Sequence, residues 1–250
     1  MKPVQHASGR NNSDFYGQGQ GDIPHWKRAL DICCIVVAAP AWAVLTFLVY
    51  VLIKIVSPGP AFFKQERIGY LGRKFQCFKF RTMVVNADAG IHQGHLMQLM
   101  SSNAPMTKLD STGDRRLVPF GGVLRSLGLD ELPQLVNVIR GEMSLVGPRP
   151  CLPYEYEQYS PRHRKRLAAA PGLTGLWQVS GKNRTTFEEM VDLDVEYAAR
   201  QSLLLDLKIM ALTLPAIAQQ VFGGLKRRKA RLTTELSARR EAKRALNPQS

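Results

Sequence analysis

From Ile32 to Ile53 the chain runs for 22 residues without a charged side chain. As a straight helix such a run covers about 33 Å, enough to cross the hydrocarbon core of a bilayer. Soluble proteins rarely bury a helix that long and uniformly apolar, so the run predicts a membrane helix to which the rest of the chain must adapt. Pro40 lies near its middle, where a proline removes a backbone hydrogen bond and kinks the helix. Lys27 and Arg28 precede the run, and Lys54, Lys64 and Arg67 follow it. Two topologies satisfy these residues. A simple span puts one basic flank on each side, whereas a re-entrant helix–break–helix keeps both on one side. Positive charge at both ends does not choose between them.

The flanking sequence limits the partners. The chain carries 34 Lys and Arg against 20 Asp and Glu, a net charge of +14, so an anionic partner is expected. Nucleic acid is set aside, because there is no RNA-binding aromatic signature, zinc-finger spacing or clear helix-turn-helix. Residues 226–250 hold nine Lys/Arg and two Glu, net +7, a basic tail suited to anionic membrane lipid. Residues 1–26 are polar and rich in Gly, Asn and Gln, which predicts a disordered tail. The apolar run starts too late for a secretory signal. Cys33, Cys34, Cys77 and Cys151 show no metal spacing and read as reduced, structural thiols.

Between these ends the pattern is α+β and mainly helical. Ser57-Pro58-Gly59-Pro60 ends the apolar helix. Residues 61–63 and 74–80 read as strands of a small β-hairpin around Gly69–Gly72. Lys79 and Arg81, two apart in an extended segment, would share a side and could clasp a phosphate. Residues 86–100, 153–169 and 185–200 read as helices, and 101–113 as a polar loop. Residues 171–184 form a Gly-rich basic loop ending in Lys182, Asn183 and Arg184, and match neither a Walker loop nor a dinucleotide fingerprint. Residues 203–222, interrupted by Pro215, suit an amphipathic helix in the membrane interface.

The chemistry concentrates in Leu124–Pro150. Asp130 and Glu131 are adjacent carboxylates between Arg125 and Arg149, and Pro148 and Pro150 hold Arg149 between them. Carboxylates beside cations suit acid/base or nucleophilic work on a phosphate. Asp130 equally suits a helix N-cap. Leu132, Leu135, Val136 and Ile139 recur at helical spacing, so a helix is expected to start at Asp130 or Glu131. Its free N–H groups would keep Asp130 ionised and favour a nearby phosphate.

These motifs together resemble the bacterial sugar transferases, the monotopic polyprenyl-phosphate phosphoglycosyl transferases that initiate exopolysaccharide synthesis. The resemblance covers residues 27–222. It is carried by Lys27-Arg28-Ala29-Leu30-Asp31, Ser57-Pro58-Gly59-Pro60, Gln65-Glu66-Arg67-Ile68-Gly69, Phe78-Lys79-Phe80-Arg81-Thr82-Met83, Leu129-Asp130-Glu131-Leu132-Pro133-Gln134-Leu135, the segment Met143–Pro150, Pro171-Gly172-Leu173-Thr174-Gly175 and Asp206-Leu207. Two departures stand out. Ala39-Pro40 replaces the family's usual Ser-Pro break, and Gly181-Lys182-Asn183 replaces Gly-Arg-Asn.

The resemblance implies a monotopic protein on the cytoplasmic face of the bacterial inner membrane. It has an N-terminal re-entrant helix–break–helix at 27–56, a catalytic domain at 57–224 with interfacial amphipathic helices, and the two tails. It implies transfer of a hexose 1-phosphate from a UDP-sugar to undecaprenyl phosphate with release of UMP, with Mg²⁺ as cofactor. Asp130 is implied as nucleophile and Mg²⁺ ligand, and Glu131 as its helper. Lys79, Arg81, Arg125, Arg149, Lys182, Asn183 and Arg184 are implied as contacts to phosphate or nucleotide, with Asp206 a supporting partner of a basic residue. A homodimer is compatible with all of this. The alternative is a non-catalytic membrane-surface scaffold of a polysaccharide assembly.

Overall fold

The apolar run folds as α1 (His25–Val56), one helix of 32 residues with Pro40 inside it. At 1.5 Å per residue it is about 48 Å long. The computed structural model describes residues 22–85, 89–107, 116–181 and 184–219. Most of the N-terminal tail, the basic tail, part of the 101–113 loop, Lys182 and Asn183 therefore lie outside the described residues. The helix expected to break at Pro40 continues across it. It ends at Ser57, whose N–H still donates to Ile53 O, just before the two prolines.

Along its whole length α1 packs against the rest of the protein. Ile35 joins Cys77, Val138 and Met143 in one apolar cluster, and Val49 and Ile53 join Ala61, Phe80 and Leu124 in another. The opposite side is bare: Val37 is 82% exposed and Ile55 77%. By length and composition α1 suits a membrane, and its apolar surface is largely uncovered.

After α1, strands β1 (Phe62–Ile68) and β2 (Lys74–Phe80) pair antiparallel, with Gln65 opposite Cys77 and Arg67 opposite Phe75. The first strand is longer than its sequence pattern suggests. Helix α2 (Ala89–Ser102) follows, then α3 (Gly121–Leu127). Gly128, at φ +71°, closes α3 in the left-handed conformation that glycine adopts without strain, and leads into a 3₁₀ turn at Leu129–Gln134. Helix α4 (Leu135–Ile139) continues from it.

Two short strands escape a sequence reading. β3 (Ser144–Val146) and β4 (Gly172–Thr174) pair in parallel, Ser144 opposite Gly172 and Val146 opposite Thr174. A Cβ on Gly172 would lie 2.1 Å from Gly147 N, so only glycine allows this approach. The segment expected to be one helix over 153–169 is divided into α5 (Pro153–Glu157), α6 (Pro161–Arg164) and a 3₁₀ turn at Lys165–Ala168. Pro161 cannot continue α5, but as the first residue of a new helix it costs nothing, and Ser160 caps that helix. Helix α7 (Leu176–Val179) precedes α8 (Phe187–Arg200), which opens with a reciprocal Thr186–Glu189 capping box. The last described helix, α9 (203–219), runs through Pro215. It buries Ile209 and leaves Leu204 and Leu214 more than 70% exposed.

Candidate active site

Two buried charge networks tie this frame together. At the start of α1, Lys27 Nζ donates to Asp206 Oδ2 at 2.5 Å and to Tyr197 Oη at 2.8 Å, and Tyr197 donates to Asp206 Oδ1 at 2.7 Å. All three side chains are buried. They join α1, α8 and α9 at one point. One turn on, Asp31 Oδ1 accepts from Ser144 Oγ and Leu145 N, fixing β3 to α1.

The second network lies behind the Pro148-Arg149-Pro150 segment. Arg149 forms a forked pair with Glu155, at 3.1 Å to Oε2 and 3.3 Å to Oε1. Arg166 donates to Arg149 O, Tyr159 Oη and Asp194 Oδ2. Arg67 donates to Pro150 O and Gln65 Oε1. Burial works against the charge of Glu155, but Arg149, Arg67 and Arg166 outweigh it and hold its carboxyl below the usual range. Burial pushes the Asp194 carboxyl the other way, up to about 6; Arg166 pulls it back only in part.

A cleft of about 460 Å³ opens beside these networks. Arg67, Lys79, Arg125 and Arg149 line it, with Glu131, so four cations face one carboxylate there. Such a lining suits an anionic ligand. Lys79 Nζ meets Glu131 Oε1 at 3.0 Å. Arg67, Cys77 and Lys79 share one face of the hairpin, as period-two alternation across the β1–β2 register requires. Gly172–Thr174, Trp177 and Gln178 contribute another part of the lining, and Met210, Thr213, Ala216 and Ile217 of α9 a third.

Asp130 is 8% exposed. It lies in the 3₁₀ turn between Gly128 and Glu131, which both line the cleft, but is not itself among the lining residues. The expected helix start is shifted: Gly128, not Asp130, is the cap, so Asp130 sits inside the first turn and makes no side-chain cap. Leu132 of the same turn accepts a hydrogen bond from Trp42 Nε1 at 3.1 Å. Helix α1 thus holds, two residues after Pro40, the turn that carries the dyad.

The other expected site residues are placed elsewhere. Strand β2 ends at Phe80, so the alternation that would align Arg81 with Lys79 stops one residue short. Arg81 instead turns back and donates to Ser57 O and Pro58 O behind α1. Arg184 is exposed and outside the lining. Asp206 belongs to the Lys27–Tyr197 cluster. Sequence reasoning gives Arg67 only as a basic flank and part of a motif, because the first strand reads as ending at residue 63. It passes over Glu155, Arg166 and Asp194, which look like ordinary helix surface.

Among the described residues no group of three His, Cys, Asp or Glu side chains could hold a metal ion. Mg²⁺ needs no such cage, since it takes one or two carboxylates and completes its shell with water and substrate phosphate. Glu131 in the cleft lining, with Asp130 next to it in the same turn, fits that donor set.

The family model for the bacterial sugar transferases matches residues 23–220. This chain belongs to the bacterial sugar transferase family and is an enzyme. It is 41% identical to the exopolysaccharide production protein ExoY of Sinorhizobium fredii, over 76% of this chain and 84% of that one. It is 38% identical to the UDP-glucose:undecaprenyl-phosphate glucose-1-phosphate transferase of Caulobacter vibrioides, over 76% and 69%. It is 34% identical to the undecaprenyl-phosphate galactose phosphotransferase of Salmonella typhimurium, over 78% of this chain and 40% of that longer protein.

Proposed function

We propose that the protein transfers a hexose 1-phosphate from a UDP-sugar to undecaprenyl phosphate, releasing UMP, at the cytoplasmic face of the inner membrane. The observation that carries this reading is the basic cleft with the Asp130–Glu131 turn in its wall and a lipid-suited helix, α9, along its lining. A soluble diphosphate and a lipid phosphate can meet only in such a place. The names of the Caulobacter and Salmonella relatives support both substrates.

In this mechanism Asp130 attacks the β-phosphate, forming an aspartyl phospho-sugar as the bond to UMP breaks. The lipid phosphate oxygen then displaces Asp130. Lys79 and Arg125 stabilise charge on the phosphoryl oxygens under attack, which would otherwise repel a carboxylate nucleophile, and Arg149, further along the cleft, meets the remaining phosphate oxygens. Glu131, paired with Lys79, orients that lysine toward the cleft. Mg²⁺ held through Asp130 would supply further charge neutralisation on the diphosphate.

The contacts of α1 favour the monotopic arrangement. Lys27 and Ile53 lie 26 residues apart, about 39 Å along the helix. Both, with Asp31, Ile35, Trp42 and Val49 between them, pack on the same charged body. A perpendicular span would drag the basic cleft into hydrocarbon, at a cost of several kcal/mol per charge. Lying in one leaflet, the helix buries its bare side and leaves the body in water. A UMP-release assay over a panel of UDP-sugars tests the reaction. Release beyond one UMP per protein that requires undecaprenyl phosphate is expected with at least one sugar, and no release with any would refute it.

A further inference from the structure

Arg67 is a cleft cation whose own hydrogen bonds go to neutral groups and not to a carboxylate. It is 7% exposed, yet it lines the cleft, and its Nε has no hydrogen-bond partner. Its two terminal nitrogens are taken by Pro150 O and Gln65 Oε1, which fix the guanidinium in place. Arg149 stands close enough to disfavour its charge, second only to burial in doing so. Arg67 is buried and Arg149 half-buried, and the fold holds the two like charges near each other all the same.

The charges of the network do not balance. Arg67, Arg149 and Arg166 carry three positive charges, and Glu155 and Asp194 supply two carboxylates. Asp194 is half neutralised near pH 6, which widens the excess. Glu155 pins Arg149 and Asp194 pins Arg166, while Arg67 is held only by neutral acceptors. Glu155 offsets part of the Arg67 charge but is already paired with Arg149, so this buried cation beside an open cleft has no carboxylate of its own.

Distance separates this place from the dyad. Lys79 and Arg67 share a hairpin face, but the partner of Lys79 is Phe63, four residues from Arg67, or about 13 Å along the strand. The Lys79–Glu131 end and the Arg67–Arg149 end are therefore two positions in one cleft.

We propose that Arg67, beside Arg149, forms a second phosphate-oxygen subsite in the cleft, remote from the Lys79–Glu131 end. This rests on the phosphoglycosyl transfer reading. The shared ligand chemistry is a phosphate oxyanion, and it has two sources there: the diphosphate of the nucleotide or the phosphate of the polyprenyl lipid. The guanidinium keeps its Nε–H and the second N–H of each terminal nitrogen for either, donors in a fixed plane that a lysine would not replace.

The test uses the full chain in lipid nanodiscs and measures binding of three probes: UDP, uridine and farnesyl phosphate. For Arg67→Met the subsite predicts at least a tenfold loss of affinity for one phosphate probe, with the other within twofold and uridine unchanged. Loss for UDP assigns the subsite to the nucleotide, and loss for farnesyl phosphate to the lipid. Wild-type affinity for both phosphates overturns the subsite and leaves the transfer reading standing. If the unmutated protein binds neither phosphate, the transfer reading falls and the subsite with it. Arg67→Lys keeps the charge without the fork and decides the matter should Arg67→Met fail to fold. A fivefold or greater loss at an unchanged melting temperature supports the subsite, and unchanged affinity overturns it.

Discussion

Asp206→Asn is the substitution whose cost the structure defines best. Asp206 and Lys27 are 1% and 0% exposed, so water cannot replace either partner. The asparagine keeps the size of the side chain. Its amide oxygen can still accept from Lys27, and its amide nitrogen can face Tyr197, whose hydroxyl already reaches Val146 O at 3.2 Å. The hydrogen bonds survive and the negative charge does not. Breaking a buried ion pair by removing one partner costs about 3–5 kcal/mol, and the retained acceptor places Asp206→Asn near the lower end, about 3 kcal/mol. For a body of this size that is a fall of about 6–12 °C in melting temperature, measured on detergent-solubilised protein by near-ultraviolet circular dichroism. Asp206→Leu, which also removes the acceptors, should approach about 5 kcal/mol. Lys27→Met combined with Asp206→Leu removes both charges and should melt above either single variant. An Asp206→Asn protein melting within about 1 °C of wild type, or a double variant as unstable as the sum of its parts, would refute the reasoning.

Two further outcomes follow from the same frame. A cysteine placed near residue 10 should resist a membrane-impermeant thiol reagent added outside intact cells and react after lysis; outside labelling would mean that α1 crosses the bilayer. Asp194, with its carboxyl raised to about 6, contributes stability that is complete below the ordinary carboxylate range and is lost as pH rises through 6. The melting advantage of wild type over Asp194→Asn should therefore be larger at pH 5 than at pH 7, and an equal advantage at both contradicts the assignment.

Much of the frame is legible in the residues because local rules decide it. An uncharged 22-residue run leaves few options, and Gly69–Gly72 between two strand-like segments gives the hairpin. The prolines mislead in both directions. Pro161 divides an apparent helix, whereas α1 and α9 continue across Pro40 and Pro215. Tertiary contacts such as the Trp42–Leu132 hydrogen bond hold the helix where local propensity would stop it. Arg81 shows how an alternation argument fails when a strand ends one residue early. The buried charges are the least legible of all. Lys27 and Asp206 are 179 residues apart, and the resemblance implies a basic partner for Asp206 without saying which. Only the fold shows that they pair. The Arg67–Arg149–Arg166 group is assembled in the same way, from β1, the segment after β3 and the turn after α6. The Asp130–Glu131 pair stands out in the sequence, but its relation to the cleft depends on Gly128 and on the 3₁₀ turn that replaces the expected helix start.

The central claim is that Asp130 takes the phospho-sugar. Intact-protein mass spectrometry after a rapid acid quench, with UDP-sugar present and undecaprenyl phosphate withheld, tests it most directly. Wild type should gain the mass of one hexose phosphate, mapped by peptide sequencing to Asp130 and discharged when lipid phosphate is added, and Asp130→Asn should gain nothing. An adduct on another residue, or full turnover by Asp130→Asn, would contradict the account.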